Sequence, residues 1–258
     1  MDCTDVFVEA LQQATPFVFL KYGDGEYAAT NNHGGCNCDQ TPYTTELGAG
    51  VKDSFLYFCK RSEAYLGKWH PHSPVNAICA YWDALALGAG KTVQWADYHS
   101  FIVFDKADFT ERKLRLFRAI RDAPHRKIYV THPKNAQEAQ RRFGVDVCIP
   151  VHPTNWFTES FDTVLDAVVR EVSHGARDLS VAGCEQPARE VATEGPCMVL
   201  TSCGMGAKPL AMRLHQRFPA LTLIDIGSAW DYLCSGQDSR GHARFYSHEE
   251  LDAFFSGI

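Results

Sequence analysis

The chain has 258 residues, 45% of them hydrophobic and 22% charged, with a formal net charge of −6. That composition excludes long disordered stretches and leaves room for a single domain, residues 1–258, with a substantial core. The acidic balance speaks against a nucleic-acid partner, and ten cysteines in a chain of this length do not form a dense disulfide framework.

The amino terminus, Met1-Asp2-Cys3-Thr4-Asp5, has neither the positive n-region nor the apolar h-region of a signal peptide. No apolar run approaches the roughly 20 residues of a membrane span. The expectation is a cytoplasmic protein with reduced cysteines, its contact with a membrane-bound acceptor being peripheral at most. Residues 4–13 carry helical apolar spacing, with Thr4 or Asp5 as the expected cap. FVFLKY, 17–22, reads as a strand from its β-branched and aromatic content. NNHGGCNCDQTP, 31–42, is rich in turn formers and reads as a loop. A helix is expected over 44–61, capped by Thr44 or Thr45, and VNAICAYW, 75–82, reads as a buried strand. The segment 83–103 matches no single pattern.

From residue 109 the pattern becomes regular. Helices are expected over 109–123 (Thr110 as cap), 135–144 (ending at Gly144), 160–175, 207–218 and 247–255 (Ser247 as cap). Between them, RKIYVTH, VDVCIPV, PCMVLTS and LTLIDIG read as short apolar strands. Strands alternating with amphipathic helices imply an α/β, Rossmann-like domain: a mostly parallel sheet with helices on both faces. Ligands of such sheets bind beyond the carboxyl ends of the strands.

Three strand ends carry candidate chemistry. The first is Tyr22-Gly23-Asp24-Gly25-Glu26. In an extended segment residues i and i+2 share a side, so Asp24 and Glu26 are expected to converge, with Gly23 and Gly25 leaving room for a ligand. Two hard oxygen ligands suit Mg²⁺ or Mn²⁺ completed by phosphate oxygens; a plain acidic turn is the competing reading. The second is TSCGMGAKPLA, where a strand runs through Gly204 and Gly206 into a helix that can receive an anion, with Lys208 adding charge. Pro209 stands where a dinucleotide fingerprint has its third glycine. The third is LTLIDIGSAWDYL, in which Asp225 follows Gly204 by 21 residues, the spacing of a ribose-binding acid. Gly227, Ser228 and Asp231 follow it. A softer stretch, 148–162, holds His152, a candidate base, and Asn155, a candidate contact to a base or sugar. A zinc site from His33, Cys36, Cys38, Cys59, His70 and His72 is disfavoured, because the Cys-x-Cys spacing is not that of a zinc knuckle.

Together these pieces resemble a known family. LKYGDGEY is similar to the Arg-Tyr/Phe-Gly-Asp-Gly-Glu signature of GT-D-type glycosyltransferase domains, with Lys21 in place of the arginine. GCNCDQTPYTTELGAGVKDSF is similar to the segment that follows it, and TSCGMGAKPLAMRLHQRFPALTLIDIGSAWDYL looks like the family's late turn, helix, strand and Asp-x-Gly. The resemblance spans 17 to about 233. It implies a metal-dependent hexosyl- or pentosyltransferase that uses a nucleotide sugar, typically a UDP-sugar, with Asp24 and Glu26 tied to the metal and to catalysis. A glycan or other hydroxyl-bearing glycoconjugate is the expected acceptor. Lys21, Tyr22, Gly23, Gly25, Asp39, Asn155, Gly204, Gly206, Lys208, Asp225, Gly227 and Ser228 are the expected donor contacts. Asp231 and His152 are the candidate bases. The alternatives are an S-adenosylmethionine- or other nucleotide-dependent transferase, resting on Gly204, Gly206 and Asp225, and a non-catalytic nucleotide- or sugar-binding module.

Overall fold

A computed structural model describes residues 3–36, 41–68, 76–97, 111–152, 154–174 and 195–235. Within them lie seven strands: β1 (Val18–Tyr22), β2 (Ala64–Lys68), β3 (Trp95–Asp97), β4 (Arg126–Thr131), β5 (Val147–Pro150), β6 (Cys197–Ser202) and β7 (Thr222–Asp225). They form one sheet in the order β3-β2-β1-β7-β6-β4-β5, and every pairing is parallel. The central strands are buried along most of their length because both faces are covered, as in all-parallel sheets generally; β1 and β7 are buried at every position.

The period-two alternation of strand side chains divides the core in two. Val18, Leu20 and Tyr22 point to one face and Phe17 and Phe19 to the other. On the first face lie α3 (Thr45–Phe58), α4 (Asn76–Gly88), α8 (Phe161–His174) and α9 (Ala207–Arg217). On the second lie α1 (Thr4–Gln12), α5 (Glu111–Asp122) and α6 (Ala136–Phe143). The short helices α2 (Asp24–Thr30), α7 (Trp156–Glu159) and α10 (Asp231–Ser235) follow β1, β5 and β7 at the carboxyl edge of the sheet. The chain leaving β7 packs Ala229 and Trp230 into the second face, whereas the chains leaving β1 and β6 pack Ala29, Met205 and Ala207 into the first. Strand ends whose chains part to opposite faces open a crevice where ligands bind in α/β sheets.

Several expectations need correction. VNAICAYW is not a strand: α4 begins at Asn76, and Ile78, Trp82 and Ala86 are all buried on one helical stripe. A short apolar run does not separate strand from buried helix by periodicity, and the i, i+4, i+8 spacing was the deciding signal. The β2 strand, AYLGK, lacks a strong pattern of its own and is held by pairing with β1. At α1 the N-cap is Cys3 and no side chain caps the helix. At α3, Thr44 caps as expected, its Oγ1 accepting from the Leu47 N–H at 3.2 Å. Gly144 ends α6 in the left-handed region, φ 60°. The expected cap Thr110 and the helix over 247–255 lie outside the described residues. Among the described residues no helix is long and apolar enough to cross a membrane.

The α2 and α3 helices approach closely at Gly48, where a Cβ would lie 2.3 Å from the Ala29 carbonyl oxygen. Backbone cannot yield as a flexible side chain would. Gly48→Ala is therefore expected to lower unfolding stability by about 1–3 kcal/mol, read as a lower denaturant midpoint at unchanged slope. An unchanged midpoint would mean that α2 is not held against α3.

Candidate functional site

The Gly-Asp-Gly-Glu stretch is helical from its first acid. Gly23 is the N-cap and α2 starts at Asp24. At 3.6 residues per turn, positions 24 and 26 point to opposite sides of the helix, and the convergence expected of an extended chain is lost. Asp24 is exposed, and its Oδ1 accepts from the Gly25 N–H at 3.0 Å. Glu26 turns inward. Its Oε2 accepts from the Gly23 N–H at 2.9 Å, as the third residue of a capping box does.

The other carboxylate oxygen of Glu26, Oε1, lies 2.6 Å from Lys208 Nζ. Lys208 is the second residue of α9, which leaves β6 through a tight 3₁₀ turn at Gly204–Gly206. Its Nζ also donates to Asp225 Oδ2 at 2.8 Å. Asp225 ends β7 and sits between two lysines, with Lys21 Nζ 3.9 Å from its Oδ1. That oxygen also accepts from the Gly227 N–H at 3.1 Å. Lys21, Glu26, Lys208 and Asp225 are all buried, and their formal charges cancel. Burial works against both ions of the central pair, but the ion pairing outweighs it. Lys208 is held charged well above the ordinary lysine range by Asp225 and Glu26. The Asp225 carboxyl is held below the ordinary range by Lys208 and then Lys21.

The glycines of these turns have separate reasons. Gly227 has φ 52°, and a Cβ there would lie 2.3 Å from Lys21 Nζ. At Gly206 a Cβ would meet the Trp156 ring at 2.4 Å; Trp156 in turn donates from Nε1 to the Cys203 carbonyl at 2.8 Å. The segment after β5 is thereby locked onto the turn after β6.

A second polar group lies at the ends of β4 and β5 and the start of α10. Asn135 donates from Nδ2 to Asp231 Oδ1 at 3.0 Å and to Thr131 Oγ1 at 3.1 Å. The His132 and His152 rings meet edge to face, centroids 5.4 Å apart. Burial, then Lys134 and His152, lower the His132 pKa, with Asp231 opposing them. His132 Nδ1 accepts from the Lys134 N–H at 3.2 Å, so the neutral ring carries its proton on Nε2 as a donor. The sequence reading passed over His132 and Asn135, although THPKN follows a strand and the strand-end rule points to it.

Comparison with solved structures identifies the fold. Over 91% of this chain and 81% of the other, a selenomethionine structure of domain of unknown function 1792 matches with a TM-score of 0.55 at 12% sequence identity. A second structure of that domain, described as having a distinct glycosyltransferase fold, matches with a TM-score of 0.54, the same coverage and 12% identity. The chain has a Rossmann-like glycosyltransferase fold. No protein-family model and no curated protein matches the sequence.

In that fold the expected site residues divide. Lys21, Gly23, Glu26, Lys208, Asp225 and Gly227 come together at the ends of β1, β6 and β7, with Asp24 at the rim. Gly204 and Gly206 form the turn beside them. Tyr22 instead belongs to the core, packed on Phe55 and Trp82, with its hydroxyl 3.2 Å from Ser54 Oγ. Gly25 faces Met205 rather than open space. Ser228 lies in the 3₁₀ turn after β7, and Asn155 is exposed just before α7. Asp231 and His152 belong to the second polar group, and Asp39 lies outside the described residues.

A divalent ion shared by Asp24 and Glu26 does not fit this arrangement. The two carboxylates point apart, and both oxygens of Glu26 already have partners. Among the described residues no three His, Cys, Asp or Glu side chains are grouped to hold a metal. Of the disfavoured zinc ligands, Cys59 is buried in the core, while Cys38, His70 and His72 lie outside the described residues.

Because the Asp225 pKa is depressed in the fold, its contribution to stability is present above the unfolded carboxyl value of about 3.9 and is lost as pH falls through the lower folded value. Lys208 contributes below the unfolded lysine value of about 10.4, and its share is lost only in stronger alkali. The stability gap between wild type and Asp225→Asn should therefore be flat from about pH 5 to pH 10 and shrink below about pH 4. A gap unchanged in strong acid would refute the pairing.

Proposed function

We propose that the protein transfers a sugar from a nucleotide-sugar donor, a UDP-sugar in the favoured form, to a hydroxyl of a glycan or glycoconjugate. The observation that carries this reading is the buried, charge-balanced group Lys21–Glu26–Lys208–Asp225 on a glycosyltransferase fold. It lies where the chains leaving β1, β6 and β7 part, with exposed Asp24 beside it.

The chemistry needs three things. The bond from the anomeric carbon to the diphosphate oxygen breaks, and negative charge grows on the leaving nucleoside diphosphate. A diphosphate would reach the start of α9 over half-buried Gly204, because the Trp156 ring covers Gly206, and backbone amides there suit that charge. The His132 Nε2–H is a further donor to a phosphate or sugar oxygen. The acceptor hydroxyl attacks the anomeric carbon as its proton passes to a base. His152, exposed at the β5 end, and Asp231 are the candidates; Asp231 already holds Asn135 through one oxygen. Asp24 meets the donor at the rim, and Glu26 and Asp225 act behind it by fixing the loops.

A thermal-shift panel of UDP, GDP, CMP and S-adenosylmethionine, each with Mn²⁺ and with chelator, tests the ligand class. UDP or another nucleoside diphosphate should raise the midpoint, and its sugar ester should then be hydrolysed or transferred. Asp24→Asn should cut that turnover by about 10- to 100-fold, the loss of one charged hydrogen bond to the donor, with little change in melting temperature. A shift with S-adenosylmethionine alone would favour a methyl-transfer enzyme, and nucleotide binding without turnover of any donor would favour a binding module.

A further inference from the structure

The sequence assigns Asp24 and Glu26 a divalent ion and Asp225 a donor contact, but at Glu26 and Asp225 the fold supplies a different cation. Lys208 Nζ stands 2.6 Å from Glu26 Oε1 and 2.8 Å from Asp225 Oδ2, the distances of charge-assisted N–H···O bonds. The remaining oxygens are also engaged: Glu26 Oε2 by the Gly23 N–H, and Asp225 Oδ1 by the Gly227 N–H with Lys21 nearby. The Lys208 backbone is anchored from behind. The backbone carbonyl of Lys208 accepts from Ser54 Oγ at 2.8 Å, and Ser54 Oγ lies 3.2 Å from the buried Tyr22 hydroxyl. The Lys208 side chain is 4% exposed, so water cannot readily take over its contacts.

We infer that Lys208 is the resident cation of this site, standing between Glu26 and Asp225 in the place of any divalent ion that these two carboxylates would share, and that it keeps such an ion out. An ion bridging the same two oxygens would need metal–oxygen distances of about 2.0–2.6 Å and would displace Nζ. It would also add two positive charges to a buried group that two lysines have already neutralised. The lysine ties three strand-end loops together as a bridging metal would: Glu26 caps the helix after β1, Lys208 starts the helix after β6, and Asp225 holds the turn after β7. The inference concerns the cation alone and holds whatever donor the site takes.

Mn²⁺ binding to the full-length protein, followed by loss of the free-ion electron paramagnetic resonance signal, tests it without any turnover assay. Glu26→Gln and Asp225→Asn should each bind Mn²⁺ as wild type does, within about twofold; a loss of tenfold or more in affinity in either variant would overturn the inference. Lys208→Met, checked for folding by circular dichroism, should gain a Mn²⁺ site absent from wild type, and adding Glu26→Gln should remove it again. A folded Lys208→Met protein that gains no site would also overturn it. Should that variant not fold, the comparison of wild type with the two carboxylate variants decides the matter alone.

Discussion

The ammonium of Lys208 between the carboxylates of Glu26 and Asp225 is the contact on which the rest of the site depends. Each of the three residues belongs to a different strand-end segment, and each carboxylate uses its second oxygen to hold a backbone amide. Removing one member of a buried ion pair leaves an uncompensated charge that costs about 3–5 kcal/mol. The three loops are therefore coupled: the capping of α2, the start of α9 and the turn after β7 share one electrostatic centre. Lys21 completes it and brings the buried formal charge to zero.

The sheet explains why this centre forms where it does. The β7 strand lies between β1 and β6, and all three run parallel, so their carboxyl ends are neighbours although they lie far apart in sequence. The chain leaving β7 departs to the opposite face from the other two, which opens the crevice. Glycines allow the close approach that follows: Gly227 beside the Lys21 ammonium and Gly206 beneath the Trp156 ring. A second polar group, His132, Asn135, His152 and Asp231, flanks the first from the ends of β4 and β5 and the start of α10.

Much of the fold was legible in the sequence because strand and helix periods differ strongly after residue 109, where apolar strands and amphipathic helices alternate. The first half was harder. The NAICAYW run is apolar enough to suit either element, and AYLGK is a strand by virtue of its neighbour. For the site, the sequence picked out Asp24, Glu26, Lys208 and Asp225 from their places at strand ends. It did not reveal that Glu26 and Lys208, 182 positions apart in the chain, bond to each other. Pairing between distant loops leaves no local pattern. The same limit applied to Asp24 and Glu26: glycines on either side permit an extended turn or a helix start equally, and the Glu26–Gly23 capping bond decides for the helix. Tyr22 adjoins the motif, but strand alternation sends its ring into the core.

The most direct test of the central claim is a double-mutant cycle on Glu26 and Lys208. Unfolding free energies of wild type, Glu26→Gln, Lys208→Met and the double variant should show a coupling energy of about 1–3 kcal/mol, the double variant being more stable than the sum of the single losses predicts. Additivity within about 0.5 kcal/mol would mean that the two residues do not interact, and the account of the site would fail.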